Sequence, residues 1–438
     1  MTGVALPSIG SDLDVSTSSL QWVVSAYVLG YGGFLLLGGR AADLLGRRRM
    51  FLISLGVFAA ASTLGGLAND GTLLAVTRFV KGVAAAFTTP AAFSVITTSF
   101  SEGPARNKAL SLWSVAGAAG FSLGLVFSGV LTELSWRLAF LLPAALALLA
   151  LLAGMRLVPD DGPSTHVGRR FDVAGAVGVT AGMMLLVYTL VEAPAAGWAS
   201  AQTLAGFAAA ATILIAFVRH EQRTPAPLVR LGILRSGSLV RANLAAMTLI
   251  GAYVAFQFVF TLYLQQVRGW SALETGLAIL PGGLVTMILA PRMAPLVERF
   301  GVMRLIGVGL ALEAAGYSLF LPLGLDSGYL AAMLPAFLLI GTGFAAEVPL
   351  NIAATNGVAP DEQGLAAGLV NSSFQFGGAL VIAITTAVYD ASGGAEGTPQ
   401  ALLDGFQAAT LVSVTVALLG VAAVMLRRCL ATACPEPA

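Results

Sequence analysis

Thirteen apolar stretches, each nearly empty of charge, follow one another along this chain at 20–37, 51–67, 73–100, 110–131, 138–158, 173–191, 201–218, 244–264, 277–290, 305–323, 330–350, 365–388 and 406–426. Crossing the hydrocarbon of a bilayer takes about 20 apolar residues in a helix, so the pattern predicts a chain threaded repeatedly through a membrane. Helix is the required form. Lipid offers no partner to a bare backbone N–H or C=O, and the two-residue alternation of a barrel is not found. Composition agrees: of 438 residues, 57% are hydrophobic and 10% charged, with a mean hydropathy of +0.87. A water-facing surface uses about a quarter charged residues, so lipid has to cover most of this one. The predicted fold class is an all-α membrane protein.

The net charge of +1 offers nucleic acid no basic field. Cys429 and Cys434 lie at the C-terminal end and His166 and His220 in distant polar stretches, which spells out neither a metal set nor a disulfide scaffold. No Walker-type Gly-x-x-x-x-Gly-Lys-Ser/Thr is present. Hence no cofactor, ATP-driven step or enzymatic site is expected. Placing 47–49 in the cytoplasm leaves Arg137 and Arg268 outside, Arg78 and Lys81 within a span, and the other nineteen of 23 basic residues cytoplasmic. That asymmetry follows the positive-inside rule and puts the C-terminus in the cytoplasm. An odd number of spans would then leave Met1 outside with no signal peptide to deliver it. The expectation is that Met1 falls within a first helix whose upstream part is missing.

Counting that helix as the first, short loops after the second and tenth repeat one another. The first reads Gly39-Arg40-Ala41-Ala42-Asp43-Leu44-Leu45-Gly46-Arg47-Arg48-Arg49 and the second Glu298-Arg299-Phe300-Gly301, with Arg304 beyond. Aligning Gly46 with Gly301 sets Asp43 on Glu298 and Arg49 on Arg304, while Gly39 and Arg40 face Ala294 and Pro295. Parallel repeats of this kind build one transporter architecture.

The stretch from Gly39 to Arg49 resembles the signature loop of the major facilitator superfamily, Gly-x-x-x-Asp-x-x-Gly-Arg-Arg in outline. Thr77-Arg78-Phe79-Val80-Lys81-Gly82 resembles the arginine motif of its fourth helix, although the family has Gln where Lys81 stands. The glycines 117–129, followed by Ser135-Trp136-Arg137, resemble the fifth helix and the turn after it, without the family's proline. Val4-Ala5-Leu6-Pro7-Ser8-Ile9 looks like the end of the first helix in the fourteen-helix drug:proton antiporter family, and the extra helix pair at 171–218 also fits that family. The family's first helix carries an acidic residue a few positions before this stretch, and this sequence begins too late to include that position. The resemblance implies two six-helix bundles with two additional central helices. In this division 1–158 is the N-terminal bundle with its first helix incomplete, 159–235 a linker bearing the extra pair, and 236–438 the C-terminal bundle.

Several residues are candidates for work. Gly39, Arg40, Asp43, Gly46, Arg47 and Arg48 form a possible conformational latch: the glycines allow tight turns, and the carboxylate can pair with a base or a helix N-terminus. An ordinary charged loop that anchors two helix ends is the alternative. Arg78 and Lys81 share one helix face inside a span, where cations are costly and face an acid or a water-filled cavity. The resemblance puts Arg78 in a proton relay; snorkelling to the interface is the other reading. Glu313 and Glu347 interrupt apolar runs, and a carboxyl group in low dielectric favours its neutral form. Either is a candidate proton carrier or a structural pair. Gln257, Asn351, Asn356, Asn371 and Gln375 either line a substrate cavity or bond between helices. Phe256, Phe258, Phe260 and Tyr263 could stack on a flat ligand, with packing or lipid contact as the commoner fate. Gly117, Gly120, Gly124 and Gly129 predict a close helix crossing.

The expected protein is therefore a multi-pass transporter of the cell membrane that exports small amphipathic compounds of drug or antibiotic type by alternating access. Protons, a small-molecule substrate and the lipid bilayer are its expected partners, and it is expected to act as a monomer. An importer or facilitator of the same fold, and an inactive or scaffolding membrane protein, stay open as alternatives.

Overall fold

The computed structural model describes residues 9–10, 12–13, 17–160, 172–224, 227, 232, 237–394 and 398–431. Among them there is helix and no strand. The helices are α1 (Thr17–Leu45), α2 (Arg47–Gly66), α3 (Gly71–Ser99), α4 (Pro104–Leu134), α5 (Leu138–Leu157), α6 (Val173–Ala196) and α7 (Ala201–Arg223). They continue as α8 (Gly237–Leu262), α9 (Ala272–Phe300), α10 (Val302–Ser318), α11 (Leu334–Phe344), α12 (Glu347–Thr355), α13 (Gln363–Tyr389) and α14 (Pro399–Ala431). Eleven helical segments among the described residues are long and apolar enough to cross a membrane. With α4 and α10, they fall on the thirteen predicted stretches.

Two expectations need correcting. The loop of 39–49 is mostly helix: α1 runs to Leu45, and Gly46 alone, at φ 100°, joins it to α2. Its counterpart behaves alike, with Gly301 at φ 83° alone between α9 and α10. A side chain is strained in that left-handed region, so the repeat read from sequence is a repeated backbone device. The second concerns the span expected at 330–350, which lies within the candidate span Tyr329–Thr355 but is not one continuous helix. Two helices lie there, α11 and α12, separated at Ala345 and Ala346. Pro349 has no N–H to give to the carbonyl of Ala345, which helps to end the first helix there.

The residues pack as two compact units. The first comprises Met1–Phe100, Phe127–Arg235 and Gly357–Ser372. In it α1 and α3 cross closely: a Cβ on Gly38 would lie 2.2 Å from the Ala86 carbonyl oxygen, and one on Gly82 2.3 Å from that of Tyr27. The extra pair is tied together at its ends. Asp172 caps α6 through the Gly175 N–H at 2.9 Å and meets His220 of α7 at 2.9 Å. Asp12 accepts from the Trp136 indole at 2.9 Å and from Arg137 at 2.5 Å, which gives the Trp136-Arg137 turn a partner. These bonds hold the Asp12 carboxyl below its usual range.

The second unit comprises Ser101–Val126, Ser236–Asn356 and Ser373–Ala438. Its core is aromatic. Phe256, Phe260 and Tyr263 share a face of the chain from α8 onward and pack with Phe320, Phe337 and Phe406, with ring centroids 4.7 Å apart for Phe256–Phe320 and 4.6 Å for Tyr263–Phe406. Each such pair adds about 0.5–1.5 kcal/mol beyond the area it buries. Phe258, two residues off that face, is exposed. Packing, not ligand stacking, uses these rings.

Candidate functional site

Asp43 is the centre of the predicted latch, and the first unit gives it a partner that the sequence did not name. Its carboxylate accepts from the backbone N–H of Gly364 and of Leu365, both at 3.0 Å. These are free donors in the first turn of α13, where the partial positive end of the helix favours an anion. The side chain of Asp43 is 1% exposed, and Arg47 lies 3.7 Å away. Arg47 also donates to the Pro360 carbonyl just before α13. Arg40 is buried in the same unit. Arg48 donates to Asp160 and, at 2.8 Å, to the carbonyl of Met155 at the end of α5.

Gly39 does not make a turn; it lies within α1, and its role is close approach. A Cβ there would sit 2.3 Å from the Gly364 carbonyl oxygen, and one on Gly364 would sit 2.4 Å from that of Gly39 and 2.8 Å from the Asp43 carboxylate. Two facing glycines thus bring α1 near enough for Asp43 to reach the α13 N–H groups. The partner did leave a signal. Gly364 and Gly368 make the small-x-x-x-small spacing of tightly packed membrane helices.

Arg78 and Lys81 turn into the first unit instead of snorkelling. Arg78 donates through Nε to the Val23 carbonyl at 2.8 Å, with its guanidinium 4.6 Å from the Tyr27 ring centre. Lys81 donates to Ser62 Oγ at 2.7 Å and sits 4.8 Å from the Phe58 ring centre. Ser62 in turn donates to the Phe140 carbonyl at 2.7 Å. Rings and neutral oxygens surround these two cations, and neither makes an ion pair among the described residues. Ser62 was not singled out from the sequence.

In the second unit Glu313 lies on α10 where that helix crosses α11. Gly309 and Gly343 make the crossing close: a Cβ on Gly343 would fall 2.5 Å from the Gly309 carbonyl oxygen and 2.8 Å from Glu313 Cγ. Glu313 is fully buried. Its carboxyl lies beside the neutral Tyr317 hydroxyl one turn on. Glu347 opens α12 immediately after the helix break, and the buried Asn351 one turn later turns its side chain to the Glu347 carboxyl. Gln257 and Gln375 are half-buried in this unit. Asn371, in the first unit, spends its amide on the Ala367 carbonyl at 2.9 Å within its own helix, and Asn356 is exposed. Among the described residues, a Cβ on Gly117 or Gly120 meets nothing within 4 Å. Gly124 and Gly129 lie further along the same helix.

Many apolar helices, with ionisable groups held inside the spans, are what a membrane transporter is built from. The comparisons identify the family. The Major Facilitator Superfamily model matches residues 1–382 and, in an overlapping match, 282–430, and the chain belongs to that superfamily. Similar relatives include the cephamycin export protein CmcT of Amycolatopsis lactamdurans, 37% identical over 96% of this chain and 86% of its own length. The puromycin resistance protein pur8 of Streptomyces alboniger is 38% identical over 92% and 82%. Among solved structures, the human organic anion transporter MFSD10 matches with a TM-score of 0.67 at 18% identity, covering 97% of this chain and 89% of that one. The proton:xylose symporter XylE matches with a TM-score of 0.62 at 14% identity, covering 95% and 90%. These last two speak for the fold. The protein is a multi-pass membrane transporter and not an enzyme.

Proposed function

We propose that this protein exports small amphipathic compounds of antibiotic type across the cell membrane by alternating access, driven by inward proton flow and acting as a monomer. The named activities of the similar relatives, cephamycin export and puromycin resistance, support the substrate class. In this proposal the Gly46 and Gly301 junctions and the C-terminus face the cytoplasm, in keeping with the distribution of Arg and Lys. The observation that carries proton coupling is Glu313, a fully buried carboxyl whose hydrogen-bonding neighbour is the neutral Tyr317 hydroxyl. An ionisable group kept inside a membrane span marks a site of function.

Glu313 and Glu347 serve as proton carriers in the second unit. Arg78 and Lys81 form the cationic part of the pathway in the first. Asp43 with Gly39, Arg40, Gly46, Arg47 and Arg48 is the latch that favours one conformation. Substrate contact falls to Gln257, Asn351, Asn371 and Gln375.

The test is uptake of a fluorescent amphipathic amine into everted vesicles, with and without an imposed pH gradient. Collapsing the gradient stops accumulation by the wild type, and Glu313→Gln, which keeps the shape and removes the titratable proton, lowers gradient-driven uptake by about tenfold or more. Uptake that ignores the gradient overturns the coupling, and accumulation only in right-side-out vesicles overturns export.

A further inference from the structure

A pocket of about 270 Å³ opens in the second unit at the start of α9, the end remote from Gly301, and is lined by Trp270, Glu274, Leu277, Ala278 and Tyr329. Its polar geometry is fixed by bonds that have nothing to do with a ligand. The Trp270 backbone N–H donates to the Leu264 carbonyl at 3.0 Å, and the Tyr329 hydroxyl donates to the Ala278 carbonyl at 2.8 Å. The two rings stand 6.1 Å apart, inclined at 51°. Each aromatic residue is held beside a π-helical turn, Tyr263–Val267 before Trp270 and Tyr329–Met333 beginning at Tyr329 itself. Such turns are rare and gather at functional sites. The Glu274 carboxylate is also held in place. Its Oε2 accepts from the Ser271 N–H at 2.7 Å and the Ser271 hydroxyl at 2.9 Å, completing a capping box, while Oε1 accepts nothing among the described residues.

Two inclined aromatic faces and a carboxylate with an oxygen to spare are the elements that recognise an organic ammonium. The volume falls just short of that of small-molecule sites, which start near about 300 Å³. It suits the cationic head of an amphiphile, not its body. We propose that this pocket binds an alkylammonium group, supplied either by a lipid headgroup or by a free amphipathic amine. The binding stands apart from proton coupling and from the direction of transport, so its failure and theirs are told apart.

Choline is the probe, and its uncharged isostere 3,3-dimethyl-1-butanol the control, both titrated against the purified full-length chain in detergent with tryptophan emission as readout. Choline gives a saturable change and the alcohol none. Trp270→Phe removes the change. Glu274→Gln keeps the capping bond to Ser271, since Gln serves that role as Glu does, and weakens choline binding by about tenfold. Circular dichroism confirms that both variants stay folded. A second arm assigns the source: after reconstitution, phosphatidylcholine in place of phosphatidylglycerol raises the choline concentration needed if the headgroup occupies the pocket, and leaves it unchanged if the ligand is a free amine. No choline response in the wild type, an equal response to the alcohol, or wild-type affinity in Glu274→Gln each overturns the proposal.

Discussion

Replacing Asp43 with Asn tests the latch with the smallest change of shape. The carboxylate accepts two N–H groups of α13 at 3.0 Å each. An amide has one oxygen, so one donor keeps a partner and the other meets an NH₂ group. The pairing with Arg47 at 3.7 Å is lost as well. A hydrogen bond to a charged group contributes about 1.5–3 kcal/mol, and an anion at a helix N-terminus about 0.3–1 kcal/mol. Taking about 2 kcal/mol as the loss, the latched conformation becomes about thirtyfold less favoured. Amide hydrogen exchange reads this directly, since Gly364 and Leu365 are protected only while the contact is closed. Exchange at these two amides should quicken by about thirtyfold, exchange within α5 should not change, and flux at equal expression should fall. If both amides exchange within about twofold of the wild-type rate, the carboxylate does not hold α13 and the latch reasoning fails.

Gly39→Ala drives a Cβ to within 2.3 Å of the Gly364 carbonyl oxygen, and overpacking against backbone costs about 1–3 kcal/mol. Membrane insertion should be normal while the thermal midpoint and the flux both drop; an unchanged midpoint would mean that the helices part freely there. Asp12 gives a pH dependence. Its folded value lies below the ordinary 3.8 because Arg137 and Trp136 donate to it, so its contribution is complete above that value and disappears as the pH falls through the lowered one. Trp136 emission should shift at that acid step in the wild type and stay flat in Asp12→Asn; a matching shift in the variant would disconnect the two residues.

The number and placing of the helices were legible because the constraint is coarse. An apolar run about twenty residues long has few other fates, and the helices fall where those runs are. Boundaries were less legible, and the reason is local. Asp43, Arg47 and Arg48 are charged, so 39–49 reads as a loop, yet a charged end of a membrane helix looks the same on paper. One glycine at φ 100° was all the connection needed. The break between α11 and α12 was missed because Ala345 and Ala346 are good helix formers, while the feature that helps to end the helix, Pro349, stands three residues further on.

The site was half legible, and the division follows sequence distance. Asp43 could be chosen for its type and spacing, but the N–H groups it binds are 321 and 322 residues away and belong to backbone, which carries no side-chain signature. Ser62 was passed over for a similar reason, since a lone serine in an apolar helix announces nothing until Lys81 is seen beside it. The repeat shows the limit most plainly. Gly46 and Gly301 both adopt positive φ, so the backbone device is present twice. The acids aligned with them part company: Asp43 is buried against a helix N-terminus, whereas Glu298 is exposed to its surroundings. Gly39, which lets α1 come close, is Ala294 in the second copy, and Arg40 is Pro295. A methyl group at the first position and a rigid ring at the second leave no equivalent approach for Glu298 to exploit. The two junctions therefore share a backbone geometry, while among the described residues only the first pairs its acid with a helix N-terminus.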